Sequence, residues 1–324
     1  MRIPFLERLK TWHFINKCYR FDRKEYVKYS SAIKIKLESH ILAQIAQNTH
    51  IIEKGLTMPE MRPGFGQETI CKLIELCGIW AGSYDNSNPI YIQAVRTILE
   101  YRLLHQELNY TLNANFGAKI ESFTKENSTL DASKQPLFED AKQYFSKRDS
   151  VFPEFARSRH SVRNFSNEAI SIQRLTDAID LAQSAPSACN RQSTRVHIIT
   201  DKTDIINILA IQNGNRGFGH LANKLLIITY FIPNYGSAKE RNLGYIDAGF
   251  FSMNLLYALH YNKIAACTLN WCDSPKDNAS LRSIVHIEES EKVSLLIVCG
   301  NAPEHSFKVA MSHRLDGKTI TTIH

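Results

Sequence analysis

The 324-residue sequence contains no apolar run approaching the roughly 18 residues that a bilayer-crossing helix needs. Its first residues also lack the unbroken apolar core of a secretory signal, because Lys10, His13 and Lys17 interrupt it. A membrane span and an export signal are therefore not expected, and the chain is expected to be cytoplasmic. The seven cysteines (Cys18, Cys71, Cys77, Cys189, Cys267, Cys272 and Cys299) are odd in number and include no CxxC pair. Several fall in apolar runs, where a reduced thiol packs as a small hydrophobe, so a reducing compartment is expected rather than a disulfide framework. Histidines and cysteines do not cluster at ligand spacings; Cys267 and Cys272 have no histidine partner in register, and no metal is expected. There is no GxSxG elbow, and Cys189 beside Asn190 has no base placed near it, which argues against covalent hydrolytic catalysis. Internal repeats and low-complexity tracts are missing as well.

With 44% hydrophobic and 22% charged residues, the chain is long and apolar enough for two domains or one elaborated domain. Its net charge of +7 is local. Residues 1–36 hold ten Lys/Arg against three acids (Glu7, Asp22, Glu25), which accounts for all of it. A nucleic-acid binder carries a broader basic footprint and a recognisable module, and neither is present. The basic start suits a surface helix facing acidic partners or anionic lipid.

The pattern divides near residue 150. From about 25 to 115 the apolar residues recur at three and four, as in "YVKYSSAIKIKLESHILAQIAQ" and "PIYIQAVRTILEYRLLHQELNY", which predicts helices. Between them "HIIEKGLTMPEMRPGFG", His50 to Gly66, carries Gly55, Pro59, Pro63, Gly64 and Gly66, and is expected to be an ordered loop in which Glu53 and Arg62 are surface charges. The polar passage Asn115 to Pro136 reads as a linker or exposed excursion. After 150 helical and strand patterns alternate: a helix capped by Ser171 with Leu175, Ile179 and Ala182 on one face, then "RVHIIT", "KTDIINILAI", "LLIITYF", a long helix from about Gly244 to His260, "IAACTL", a short helix after Pro275, and "VSLLIVCG". This predicts one sheet covered by helices, not necessarily parallel, in an α+β fold with the boundary 1–150/151–324.

The chemistry concentrates in the second half. "RSRHSVRNF", Arg157 to Phe165, alternates Arg159, Ser161 and Arg163, which in an extended segment places three donors on one face, as an anion requires. "SAPSACNRQ" (Ser184 to Gln192) follows the first helix, "TLNWCD" (Thr268 to Asp273) ends a strand, and "SHR" (Ser312 to Arg314) lies near the C-terminus. Singly, each reads as a turn or a solvated charge. "GNRGFG", Gly214 to Gly219, follows a helix and precedes a strand, the reverse of a phosphate-cradling loop.

In order and spacing these segments, together with "GYIDAGFFSMNLLYALHYNKIA" (Gly244 to Ala265, with Asp247, Gly249, Asn254 and Leu255), resemble the nitroreductase family of FMN-dependent oxidoreductases. The resemblance runs from about Phe155 to the end and implies a dimer with FMN at the subunit interface. It implies phosphate binding by Arg159 and Arg314 with Ser161 and Ser312, and places His160 in the same pattern. Arg163 would face the pyrimidine edge, where a cation stabilises the anionic reduced flavin. Pro186, Ser187, Asn190 and Gln192 would shape the wall by the ring and polyol, with Leu269 and Asn270 near flavin N5. The implied reaction is ping-pong, NAD(P)H reducing the flavin and the flavin reducing an organic acceptor. Two departures stand out: Ser193-Thr194 where many members have Pro-Trp, and Trp271 where some offer glycine; Trp271 could cover the flavin, but a large aromatic after a strand is more often core. "HIIEKGLTMPEMRPGFG" resembles extensions on nitroreductase-like proteins encoded among bacterial surface-polysaccharide genes. His50, Glu53 and Arg62 could also form a lid. Two alternatives stay open: different flavin chemistry, such as dehalogenation, flavin cleavage or oxidation of a biosynthetic intermediate, and a non-catalytic scaffold with a vestigial pocket.

Overall fold

A computed structural model describes residues 5–32, 37–271 and 274–324. Arg2, Lys34 and Lys36 of the basic start, and Cys272 and Asp273, lie outside the described residues. The chain forms two compact units: residues 1–24 with 138–307, and residues 25–137 with 308–324. Helix α1 (Phe5–Tyr29) begins in the first of these, where Arg241 donates to the Asp22 carboxylate at 2.7 Å.

The helical unit is built from α2 (Glu38–Leu56), α3 (Gln67–Ala81), α4 (Pro89–Glu107) and α5 (Ala114–Glu126). The Asn88 side chain accepts from Ile90 N and Pro89 occupies the first turn of α4, a start that the dipeptide dictates. Ile45, Leu73, Trp80, Val95 and Ile98 fill one part of the core, and Ile52, Ile70, Tyr101, Phe116 and Ile120 the other.

Three expectations change here. Helix α2 continues through Gly55 to Leu56: a Cβ on Gly55 would meet the Phe65 ring at 1.9 Å, so the glycine serves close packing, and only residues 57–66 form the loop. That loop is ordered as expected, with Gly64 N donating to His105 Nε2 at 2.8 Å and the Tyr101 hydroxyl donating to Phe65 O at 2.8 Å. Glu53 is buried, accepting from Gln93 at 2.9 Å, while Arg62 is exposed as expected. Residues 114–126 are helix and not linker, because Phe116, Ile120 and Phe123, spaced by four and three, bury one face. The rest of that passage is strapped down: Ser133 and Gln135 donate to Glu100 at 2.7 Å each, Gln135 N donates to it at 3.0 Å, and Val309 N donates to Pro136 O at 2.9 Å.

Two-residue strands β1 (Leu137–Phe138) and β6 (Phe307–Lys308) mark where the chain passes between the units, and the short α12 (Gly317–Ile320) lies near its end. The α/β unit contains α6 (Ala141–Tyr144), α7 (Phe152–Ser158), α8 (Ile172–Ala182), β2 (Thr194–Ile199), α9 (Lys202–Ile211), β3 (Lys224–Phe231), α10 (Leu243–Tyr261), β4 (Ala265–Asn270), α11 (Pro275–Ile284) and β5 (Glu291–Gly300). Ser171 caps α8 by accepting from Arg174 N, as its sequence predicts. The four-stranded sheet runs β2-β3-β5-β4 with every pairing antiparallel; Ile199 faces Leu225, Leu225 faces Val298, and Ala265 faces Gly300. Leu226, Ile228 and Ile297 pack under α8 and α10 with Leu175, Phe251, Leu255 and Leu259. Their alternates Leu225, Ile227 and Leu296 are also fully buried, so the central strands β3 and β5 are covered on both faces. The fold is thus α+β, with a helical region preceding a helix-flanked antiparallel sheet. Helix α10 carries apolar residues on every face, and Ile246, Phe250 and Met253 remain 48%, 52% and 39% exposed. Among the described residues no helix is long and apolar enough to cross a membrane.

Candidate flavin site

Helix α7 stops at Ser158, and Arg159 turns the chain into extended backbone (φ −74°, ψ 121°). From there the segment follows β4: Val162 N donates to Ala266 O at 3.0 Å. Phe165 then closes over Gly300, where an added Cβ would lie 2.8 Å from the ring, and Ser166 N donates to Asn301 O at 2.9 Å. The middle and the C-terminal end of the arginine-rich segment are thereby tied down. Tyr144 ties the half before Val162, its hydroxyl donating to His160 O at 2.9 Å and accepting from His160 N at 3.2 Å. Burial pushes that phenol up to about 12, which keeps it protonated as a donor at neutral pH.

Arg163 is only 7% exposed, its guanidinium 5.8 Å from the Phe218 ring centroid, and its Nε and Nη1 are buried without a hydrogen-bond partner among the described residues. A buried cation without acceptors costs several kcal/mol in an empty protein, so an acceptor from outside the chain is the physical complement. Behind Arg159 lies His260, 1% exposed, with Nε2 bonded at 3.0 Å to Ser158 Oγ, which itself donates to Phe155 O at 2.8 Å. Burial, then the charges of Arg159 and His160, hold His260 down to about 4, so it is neutral.

The loop after α8 is strained. Cys189, Asn190 and Gln192 have φ of 52°, 54° and 48°, in the left-handed region. Three anchors hold it. Asp247 of α10 accepts from Ala188 N at 3.0 Å and from the Tyr235 hydroxyl at 2.8 Å, and Ser193 bonds the same hydroxyl. Ser187 Oγ accepts from Gln192 N at 3.0 Å. Arg191 pairs with Glu240 at 2.9 Å and stacks 4.9 Å over Tyr235, so its charge is spent on the scaffold. Asn190 and Gln192 stay exposed, and Asn254 of α10 donates to Ala182 O and Ser184 Oγ at 3.0 Å each.

Leu269 is buried and Asn270 exposed at the end of β4, where Gln212 Nε2 donates to Asn270 O at 3.0 Å and Oδ1 at 3.2 Å. The loop that follows Gln212 carries Phe218 to Arg163, so it joins Arg163 and Asn270 into one neighbourhood. Trp271, 8% exposed with its indole N–H 3.4 Å from Asn278 Oδ1, belongs to the core. In the helical unit Ser312 adopts φ 48°, Met311 N donates to Gln135 Oε1 at 2.8 Å, and Arg314 is exposed and bonds Ser312 O. Sequence reasoning missed Tyr144, Gln212 and Phe218. Of these only Phe218 lies in a stretch that the sequence singles out, the glycine-rich Gly214 to Gly219.

Residues 156–213 match the family model described as "Nitroreductase family". No match was found among curated proteins. Among solved structures, a nitroreductase family protein from Streptococcus pneumoniae TIGR4 aligns at 19% identity and TM-score 0.47 over 53% of this chain and 100% of its own. An FMN-dependent nitroreductase from Clostridium difficile R20291 aligns at 16% identity and TM-score 0.44 over 52% of this chain and 98% of its own. The matched segment begins at Ala156 and includes the arginine-rich stretch, the strained loop and Pro186, while α1 to α5 precede it.

Proposed function

We propose that the chain is an FMN-dependent oxidoreductase of nitroreductase type. The observation that carries this reading is the buried guanidinium of Arg163 with two orphan nitrogens, set on the stretch that matches the family model. FMN, when bound, supplies two-electron chemistry at N5, taking hydride from NAD(P)H and passing electrons to an organic acceptor in ping-pong order. Arg159 with Ser161, and Arg314 with Ser312, would hold the phosphate through charge-assisted bonds. Arg163 would donate to the pyrimidine edge and hold negative charge there, raising the reduction potential. Asn190 and Gln192, projected by left-handed backbone, would present amides to the ring and polyol; Pro186 and Ser187 would shape that wall, and His160 would join the same cofactor-binding set. Leu269 and Asn270 would offer backbone at N5.

The exposed apolar stripe Ile246, Phe250 and Met253, on a helix whose opposite face packs on the sheet, supports a homodimer in which a second copy covers α10. The resemblance of residues 50–66 points the acceptor toward surface-polysaccharide metabolism. Anaerobic addition of NADH or NADPH to FMN-loaded protein should bleach the flavin, and a quinone or nitroaromatic should restore it. Retained colour without bleaching by either nucleotide would sink the oxidoreductase reading.

A further inference from the structure

Tyr144 lies outside the matched segment, yet it is the residue that grips its arginine-rich stretch. Its ring is 2% exposed, packed edge-on against Phe138, Phe145, His260 and Phe307. An extended residue points its own N–H and C=O the same way, and a phenol supplies one donor and one acceptor. Tyr144 therefore takes the place of a ladder partner for His160, while Ala266 O serves Val162 two residues on. With both gripped, the peptide planes between them cannot rotate, and Arg159 and Ser161 keep their facing.

The helical unit repeats the device. Gln135, 6% exposed and held by Glu100 at 2.7 Å, accepts from Met311 N at 2.8 Å, directly before Ser312. Left-handed backbone at Ser312 is costly for a residue with a Cβ and persists only where its surroundings fix it. The polar passage before β1 thus supplies an anchor for the C-terminal segment.

We propose that Tyr144 and Gln135 are positioning residues for phosphate recognition, Tyr144 fixing Arg159 and Gln135 fixing Ser312 and Arg314. The proposal rests on the flavin reading and assigns part of the region ahead of the matched segment a role in holding its ligand.

The test titrates wild type, Tyr144→Phe and Gln135→Met with FMN and with riboflavin, which lacks the phosphate, and follows hydrogen exchange at the His160 amide in the flavin-free chain. In each variant the preference for FMN over riboflavin should fall about tenfold, the size of one or two lost hydrogen bonds. The His160 amide should exchange faster in Tyr144→Phe alone. Parallel weakening of both flavins, or unchanged FMN affinity despite faster exchange, would overturn the proposal and leave Tyr144 a packing residue. Wild type that binds neither flavin would instead overturn the flavin reading and this inference with it. If Tyr144→Phe does not fold, Gln135→Met decides the same comparison.

Discussion

Replacing Arg163 with methionine should make the flavin-free protein more stable while removing its flavin affinity. The guanidinium is 7% exposed and two of its nitrogens have no acceptor. Each buried unsatisfied donor costs about 1–3 kcal/mol, and removing the charge relieves its desolvation as well. Against this stands the contact with the Phe218 ring at 5.8 Å, for which a cation–π value of about 1 kcal/mol is generous, and methionine recovers most of the packing. The net gain is about 1–5 kcal/mol, or several degrees in melting temperature for a unit of this size. Ligand acts in the opposite direction: FMN adds about 2.7 kcal/mol to wild type alone at a hundred times its dissociation constant and about 4.1 kcal/mol at a thousand times. The lead of the variant in melting temperature should therefore shrink, and then invert, as FMN is raised. A variant less stable than wild type without flavin would show that Arg163 is satisfied inside the chain, and the argument for an external acceptor would fail.

Other outcomes follow from the same geometry. His260 is held at about 4 in the folded state against an ordinary value near 6.5, so the unfolded chain takes up its proton first as pH falls. No contribution exists above about pH 6.5, and stability should drop by up to about 3 kcal/mol between there and pH 4. His260→Gln, measured by denaturant titration across that range, should flatten the drop. Phe250→Glu, on the exposed stripe of α10, should leave the fold intact and yield monomers in sedimentation; an unchanged dimer would place the interface elsewhere. Phe116→Ala should cost about 3–5 kcal/mol in denaturant unfolding, since the side chain is 5% exposed; a loss near zero would return residues 114–126 to the status of linker.

Much of the α/β unit was legible because its periods are strong and its boundaries carry chemistry. Ser171 caps α8, Asp201 caps α9 and Ser274 with Pro275 opens α11, each with a side-chain oxygen on a backbone N–H. Short apolar runs between helical stretches marked the strands, but antiparallel order depends on which edges meet, and local sequence carries no record of that. Helix α5 was hidden because three apolar residues in thirteen suffice for a helix that needs only one buried face. Gly55 misled because glycine marks both a broken helix and a crowded one, and only the approach of Phe65 separates them. For the site, the alternation Arg159, Ser161, Arg163 was readable, whereas the orphan state of Arg163 was not: it depends on Phe218 and on what fails to reach the guanidinium. Tyr144 was invisible for a related reason, since a hydroxyl that serves a backbone sixteen residues away leaves no periodic trace.

The most direct measurement is the visible spectrum of the protein after incubation with excess FMN and gel filtration. The account predicts a yellow species that keeps one flavin per chain, and that loses it when Arg159 and Arg163 are both replaced by glutamine. A colourless eluate from well-folded wild type would contradict it.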